Sequence, residues 1–168
     1  MKTRIIKISL SIFLVVTLIF SISCNDSVSP EVPIDNEHKV TINQGAWGNV
    51  RFWKGDFMPM YDESSGGTIT PVVRDIYIHV ATTGDMVDRI EYTTFYTSIN
   101  SKLIAVSQSD NDGFFQVKLA PGKYSFFVME DSKFYANGND GFGHILPAEV
   151  FEDSVTQIDI DITYMATY

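Results

Sequence analysis

The side chains that could carry chemistry are few. The chain of 168 residues holds one cysteine, Cys24, and three histidines, His38, His79 and His144. Nucleophilic catalysis needs a hydroxyl or thiol held by a base, and metal hydrolysis needs clustered ligands. No G-x-S-x-G, H-E-x-x-H or glycine-rich phosphate loop occurs in the chain. Asp159 and Asp161 point the same way on an alternating stretch, which reads as a solvated strand face. A glycosidase pair would instead need a cleft holding its carboxylates about 5–9 Å apart. The acidic turns fit calcium poorly. With Gly113 as the central glycine of an EF-hand loop, Asp110 and Asp112 fall on ligand positions, but Gln108 and Leu119 fall at its ends. With Gly141 there, Asp140 alone fits. Both runs read as turns. The residues assign no catalytic group, no cofactor and no metal.

Residues suited to binding gather in two runs, Gly55–Thr70 and Asp131–Pro147. The first brings Phe57 and Tyr61 close after Trp53, and the second mixes Tyr135, Asn137, Asp140 and Phe142 with glycines. Aromatic rings can cover the apolar face of a pyranose while amides and carboxylates read its hydroxyls. The same aromatics can equally pin their loops to the ends of a fold, because large exposed apolar patches are uncommon on soluble domains. Trp53 alternates out of phase with Val50 and Phe52, so it is either a surface platform or covered by another layer.

The address is written before residue 25. Lys2, Arg4 and Lys7 open the chain without an acid, Ile8 to Phe20 is uncharged and apolar, and Ser21-Ile22-Ser23 leads to Cys24. This is the layout of an export signal. Only 16 residues separate Lys7 from Cys24, fewer than the roughly 20 that a spanning helix needs. The segment resembles a bacterial lipoprotein signal, in which the cysteine becomes the lipid-carrying first residue. Ser23 fits that pattern, and Ser21 departs from the usual leucine. The resemblance implies residues 1–23 as signal peptide, Cys24 as the lipidation site and a membrane partner reached through the anchor. Asn25 in place of Asp points, by analogy with enteric bacteria, to the outer membrane. Several acyl chains, at about 0.8 kcal/mol per buried methylene, anchor firmly.

The whole chain carries 12 basic and 21 acidic residues. Removing the signal leaves nine basic residues against 21 and a charge of −12, so nucleic acid is excluded as a partner. Residues 24–39 read as the lipidated cysteine and a flexible tether, with two prolines, acids and a solvated His38. Residues 40–168 form one domain. After residue 23 there are 13 Val and 12 Ile against 3 Leu, with 11 Thr and 20 aromatics, the composition of strands. Period-two alternation predicts strands over 49–53, 74–80, 102–108, 114–119 and 155–164, and more weakly over 90–97. The stretch 123–130 is apolar on both faces, as a strand covered on two sides would be. About seven strands with tight turns make an all-β Greek-key sandwich, with almost no helix beyond the signal.

The run Ser109 to Val128 is similar to the heart of the carboxypeptidase regulatory-like domain family. Asp112, Gly113, Phe115, Leu119, Pro121, Gly122 and Tyr124 stand at matching places. Gly48-Asn49-Val50 resembles its first strand and Asp75 to Val80 its second. The resemblance implies a transthyretin-like sandwich and no peptidase activity. Phe57-Met58-Pro59 and Tyr135-Ala136-Asn137 resemble segments of Bacteroidetes-type lipoproteins. The expectation is a non-catalytic interaction or structural module in the cell envelope, with a glycan or an envelope protein as partner. A carbohydrate-binding accessory protein is the alternative. A small hydrolase using His144 is a third and thinner reading.

Overall fold

The computed structural model describes residues 35–58 and 66–168. The signal segment, Cys24, most of the expected tether and Tyr61 lie outside the described residues. Twelve strands and two single turns of 3-10 helix, Glu37–Lys39 and Gly84–Met86, make up the secondary structure among the described residues. No helix there is long and apolar enough to cross a membrane.

The first sheet is organised by one long strand, β1 (Gly45–Asp56). On one side lie β7 (Phe114–Val117), antiparallel to its first half, and β2 (Thr68–Pro71), antiparallel to its second half. On the other side lie β11 (Val155–Gln157) and β12 (Ile160–Thr167), both parallel to β1. Gly45 faces Val155 and Val50 faces Ile160, so these two follow one register, interrupted at Ile158–Asp159. The five strands therefore make a sheet three across, with mixed directions.

The second sheet is antiparallel throughout. Its order is β4 (Val87–Arg89), β5 (Phe95–Ile99), β9 (Lys133–Tyr135), β8 (Gly122–Glu130), β3 (Asp75–Val80) and β6 (Leu103–Gln108). A seventh strand, β10 (Pro147–Val150), pairs with the first half of β8.

Alternation places the core between the sheets. Val50, Phe115, Ile160 and Ile162 from the first sheet meet Ile76, Ile78, Phe126 and Val128 from the second. Each is a β-branched or aromatic side chain, and in β1 and β12 the neighbours turned outward are polar. β8 is covered on both faces, as its sequence predicts. Phe126 and Val128 face the main core, while Phe127 faces a second cluster with Val87, Tyr96, Ala136 and Ile145. The chain after β9 builds that cluster by crossing the outer face of the second sheet, where Ala136 N–H donates to Thr94 O and Ile145 N–H to Thr82 O.

Three expectations change. Among the described residues the strands number twelve rather than about seven. β2, β9 and β10 fall in or beside the two expected insertions and are too short to show a period in sequence. The weak candidate over 90–97 becomes two strands, β4 and β5, around a turn where Glu91 has φ +48°. Finally, the packed chain begins before residue 40. Asn36 is buried and donates to Asn49 Oδ1 (2.7 Å) and Asp112 O (3.1 Å). Lys39 Nζ reaches Asp110 (2.9 Å) and Asp112 (2.5 Å) and lies over the Phe114 ring. These contacts are long-range, and the prolines and acids nearby conceal them.

Candidate functional site

The outward side chains of β1 and β12 form a continuous strip. Strand alternation turns Asn49, Arg51 and Trp53 to the outer face of the first sheet, and the parallel register sets Arg51 beside Asp161. Arg51 makes a fork with both oxygens of Asp161, Nε to Oδ1 at 2.8 Å and Nη2 to Oδ2 at 3.1 Å. Its Nη2 also lies 3.4 Å from Asp159 Oδ2. Asp159 Oδ1 in turn accepts from the backbone N–H and the side chain of Asn49, both at 3.0 Å. Trp53 Nε1–H donates to Asp161 Oδ1 at 2.9 Å. The guanidinium thus bridges two carboxylates, and paired, planar recognition of this kind holds its geometry well.

The strip continues into aromatics at the far end of β1. The Trp53 and Phe57 rings lie 5.0 Å apart, and Phe57 stacks on Tyr168 at 6.0 Å. Trp53 and Phe57 are half-buried and Tyr168 is exposed. Phe57 is pressed against Gly67, where an added Cβ would come within 2.3 Å of its ring. At the other border, Thr163 Oγ1 accepts from Asn137 Nδ2 at 2.5 Å. The strip therefore combines stacked rings, one cation, two acids and an amide on a sheet face.

The residues singled out from sequence divide among three places. Trp53 and Phe57 sit on this strip and Asn137 at its border. Tyr135 is a correction. It is fully buried among Phe95 and Tyr164, and its hydroxyl accepts from Thr163 N–H at 2.9 Å, so it ties the sheets together and presents no face to a ligand. Asp140 and Phe142 lie at the opposite end of the sandwich, beside the start of β8. Asp140 Oδ1 accepts the backbone N–H of Phe142 (2.9 Å) and His144 (3.2 Å). Its Oδ2 takes Lys123 Nζ at 2.6 Å and His144 Nδ1 at 2.7 Å. The Lys123 ammonium, then the His144 and backbone N–H bonds, hold its carboxyl well below the usual carboxylate range against a desolvation penalty. Asp140 thus organises its own loop. The clamp presents Phe142 on a tight turn, 85 % exposed.

Among the described residues the side-chain partners of His144 are Asp140 and Lys123, with no hydroxyl among them. His79 is buried edge-on to Phe127, and its Nδ1 lies 3.0 Å from Ser101 O and 3.2 Å from Ser101 Oγ. Burial pushes its pKa down, so the ring is neutral near pH 7. The turn acids cap backbone too, Asp110 Oδ1 accepting from the N–H of Asp112 (2.9 Å) and Phe114 (3.0 Å). No cluster of three or more His, Cys, Asp or Glu suited to a metal occurs among the described residues.

Sequence reasoning missed Arg51, Tyr168 and Thr163, and read Asp161 as merely solvated. Alternation marked the outward faces of both strands. That the two strands are neighbours is a long-range fact with no local signal. Comparison with protein-family models, with curated proteins and with solved structures gives no match.

Proposed function

We propose that the chain is a lipid-anchored envelope protein whose β-sandwich is a non-catalytic interaction module. The observation that carries this reading is the run from Lys2 to Cys24: a basic start, a short apolar core, small residues and the chain's one cysteine directly after them. Cys24 is the attachment point, and the outer membrane is the address that Asn25 favours. The domain that follows is bound through its surface, since Asp140, Asp159, Asp161, His79 and His144 are taken up by internal partners. Metabolic labelling with a palmitate analogue tests the anchor. Label should appear on the full chain and vanish in Cys24→Ser, which should be released from membranes by detergent-free washing. A Cys24→Ser protein that stays membrane-bound would overturn the assignment.

Within the two-sheet architecture we infer a transthyretin-like, carboxypeptidase regulatory-like sandwich. Support comes from the work done by the residues that carry the resemblance. Gly113 has φ +77°, and a Cβ there would lie 2.5 Å from Val50 O. Phe115 and Leu119 are buried, and Tyr124 Oη donates to Ala120 O at 2.9 Å across the turn holding Pro121 and Gly122.

A second reading, carbohydrate binding, is favoured by one observation: the Trp53–Phe57–Tyr168 rings lie beside Arg51 and Asp161 on one face. Ring faces and a polar border on a flat sheet suit a pyranose. Glycan-array binding should be lost in Trp53→Ala and Tyr168→Ala and kept in Phe142→Ala. Binding to no glycan, or binding unchanged in the first two variants, removes this reading.

A further inference from the structure

We propose that Asn137 is a self-modification site: the backbone nitrogen of Gly138 attacks its side-chain amide, ammonia leaves, and a neutral residue becomes an acid. Asn137-Gly138 is the one Asn-Gly pair in the chain. A side chain on the following residue hinders this ring closure, and glycine has none. Asn137 is exposed just past β9, so water reaches the amide. The site is independent of the anchor and of any sugar.

The fold separates this amide from the others. Attack needs an N–H that is not already engaged. Asn36 and Asn49 are buried. Asn111 and Asn139 are exposed, but the N–H that follows each is taken: Asp112 N–H donates to Asp110 Oδ1 at 2.9 Å, and Asp140 N–H to His144 O at 3.3 Å. Asn43 and Asn100 precede residues with side chains. Gly138 N–H makes no hydrogen bond among the described residues, whereas its C=O accepts from Leu146 N–H at 2.9 Å. The carbonyl is held and the nitrogen is left to react.

A proton donor stands at the leaving group. Asn137 Nδ2 lies 2.5 Å from Thr163 Oγ1, which lies 3.2 Å from the Tyr135 hydroxyl. That hydroxyl accepts Thr163 N–H at 2.9 Å, so its own proton turns to Thr163 Oγ1 and the Thr163 proton is uncommitted. Attack makes Asn137 Cγ tetrahedral and returns a lone pair to Nδ2, which takes the Thr163 proton. The bond from Gly138 N to Cγ forms, the Cγ–Nδ2 bond breaks, and ammonia leaves. The Gly138 N–H proton passes to water, and water restores the proton that Thr163 gave. Water then opens the five-membered imide at either carbonyl, leaving aspartate or isoaspartate and one added negative charge.

The experiment follows the full chain in detergent micelles at mildly alkaline pH, with asparagines mapped by mass spectrometry at intervals. Asn137 should gain the mass change of amide to acid, in aspartate and isoaspartate forms, before any other described asparagine. Thr163→Val keeps the shape and removes the proton donor, and should slow the conversion at least about tenfold. Thr163→Ser should restore it. In urea, where the Thr163 contact is lost, the three chains should react alike. A contact that only restrained the amide would have the opposite sign, with Thr163→Val converting faster. Conversion in Thr163→Val as fast as in the unmodified chain, or faster, overturns the inference. So does an Asn137 that stays intact in the folded, unmodified chain while converting in urea, an outcome that needs no variant to fold.

Discussion

The backbone N–H of Thr163 donates to the hydroxyl of Tyr135 at 2.9 Å, and the same hydroxyl lies 3.2 Å from Thr163 Oγ1. One residue belongs to β12 of the first sheet and the other to β9 of the second, so the bond ties the two layers. It falls where the register between β1 and β12 shifts, from Phe52–Ile162 to Lys54–Met165. The bond satisfies a donor at an irregular place in the ladder.

Tyr135→Phe keeps the ring among Phe95 and Tyr164 and removes only the oxygen. It should destabilise the fold by about 1–2 kcal/mol, because Thr163 N–H loses its acceptor in a part-buried place. Urea denaturation measures this, with an unchanged slope showing that compactness is kept.

Asp161→Ala should free the Trp53 indole. The chain has two tryptophans, and Trp47 is buried, so Trp53 dominates any change in solvent contact. Emission should shift to the red and acrylamide quenching should rise, most plainly in a Trp47→Phe background. The variant should lose about 1–3 kcal/mol, since Arg51 and the Trp53 Nε1–H both lose a part-buried charged acceptor.

Acid should weaken the fold through His79. Its pKa is lowered by burial, so between the folded value and the ordinary 6.5 the unfolded chain binds more protons. Its contribution is therefore complete above pH 6.5 and is lost as pH falls toward the folded value. The melting temperature should drop between pH 7.5 and 5, and His79→Phe should flatten that part of the curve. The depressed carboxyl of Asp140 acts in the same direction only in stronger acid, as pH falls through its own folded value.

Gly48→Ala should be among the most damaging single-methyl additions. A Cβ at Gly48 would lie 1.8 Å from Ile158 O, at the interruption between β11 and β12, where Ile158 N–H already donates to Trp47 O at 2.8 Å. Backbone would have to move, at a cost of about 3 kcal/mol. Gly66→Ala, with open space around it, serves as the control. Thermal melts of the two variants make the comparison.

Side-chain direction was legible in the sequence, because alternation is local and strands have a period of two. Val50, Ile76, Ile78, Phe115, Ile160 and Ile162 are buried as their alternation predicts, and Phe127 shows why β8 is apolar on both faces. The turn at Gly113 was legible because its chemistry is local too, since positive φ selects glycine. The lipoprotein reading also rests on sequence alone, on a run whose charge, apolar length and cysteine are adjacent. Strand partnership was decided only by the tertiary structure. Nothing local says that residue 51 lies beside residue 161, yet that parallel register turns two solvated-looking faces into the Arg51–Asp161–Trp53 strip. The loop aromatics were equally undecidable from their types. Tyr135 is buried and Phe142 exposed although they stand seven positions apart. The difference comes from β9 closing over the core while Asp140 clamps the loop outward, and both depend on pairings between distant parts of the chain.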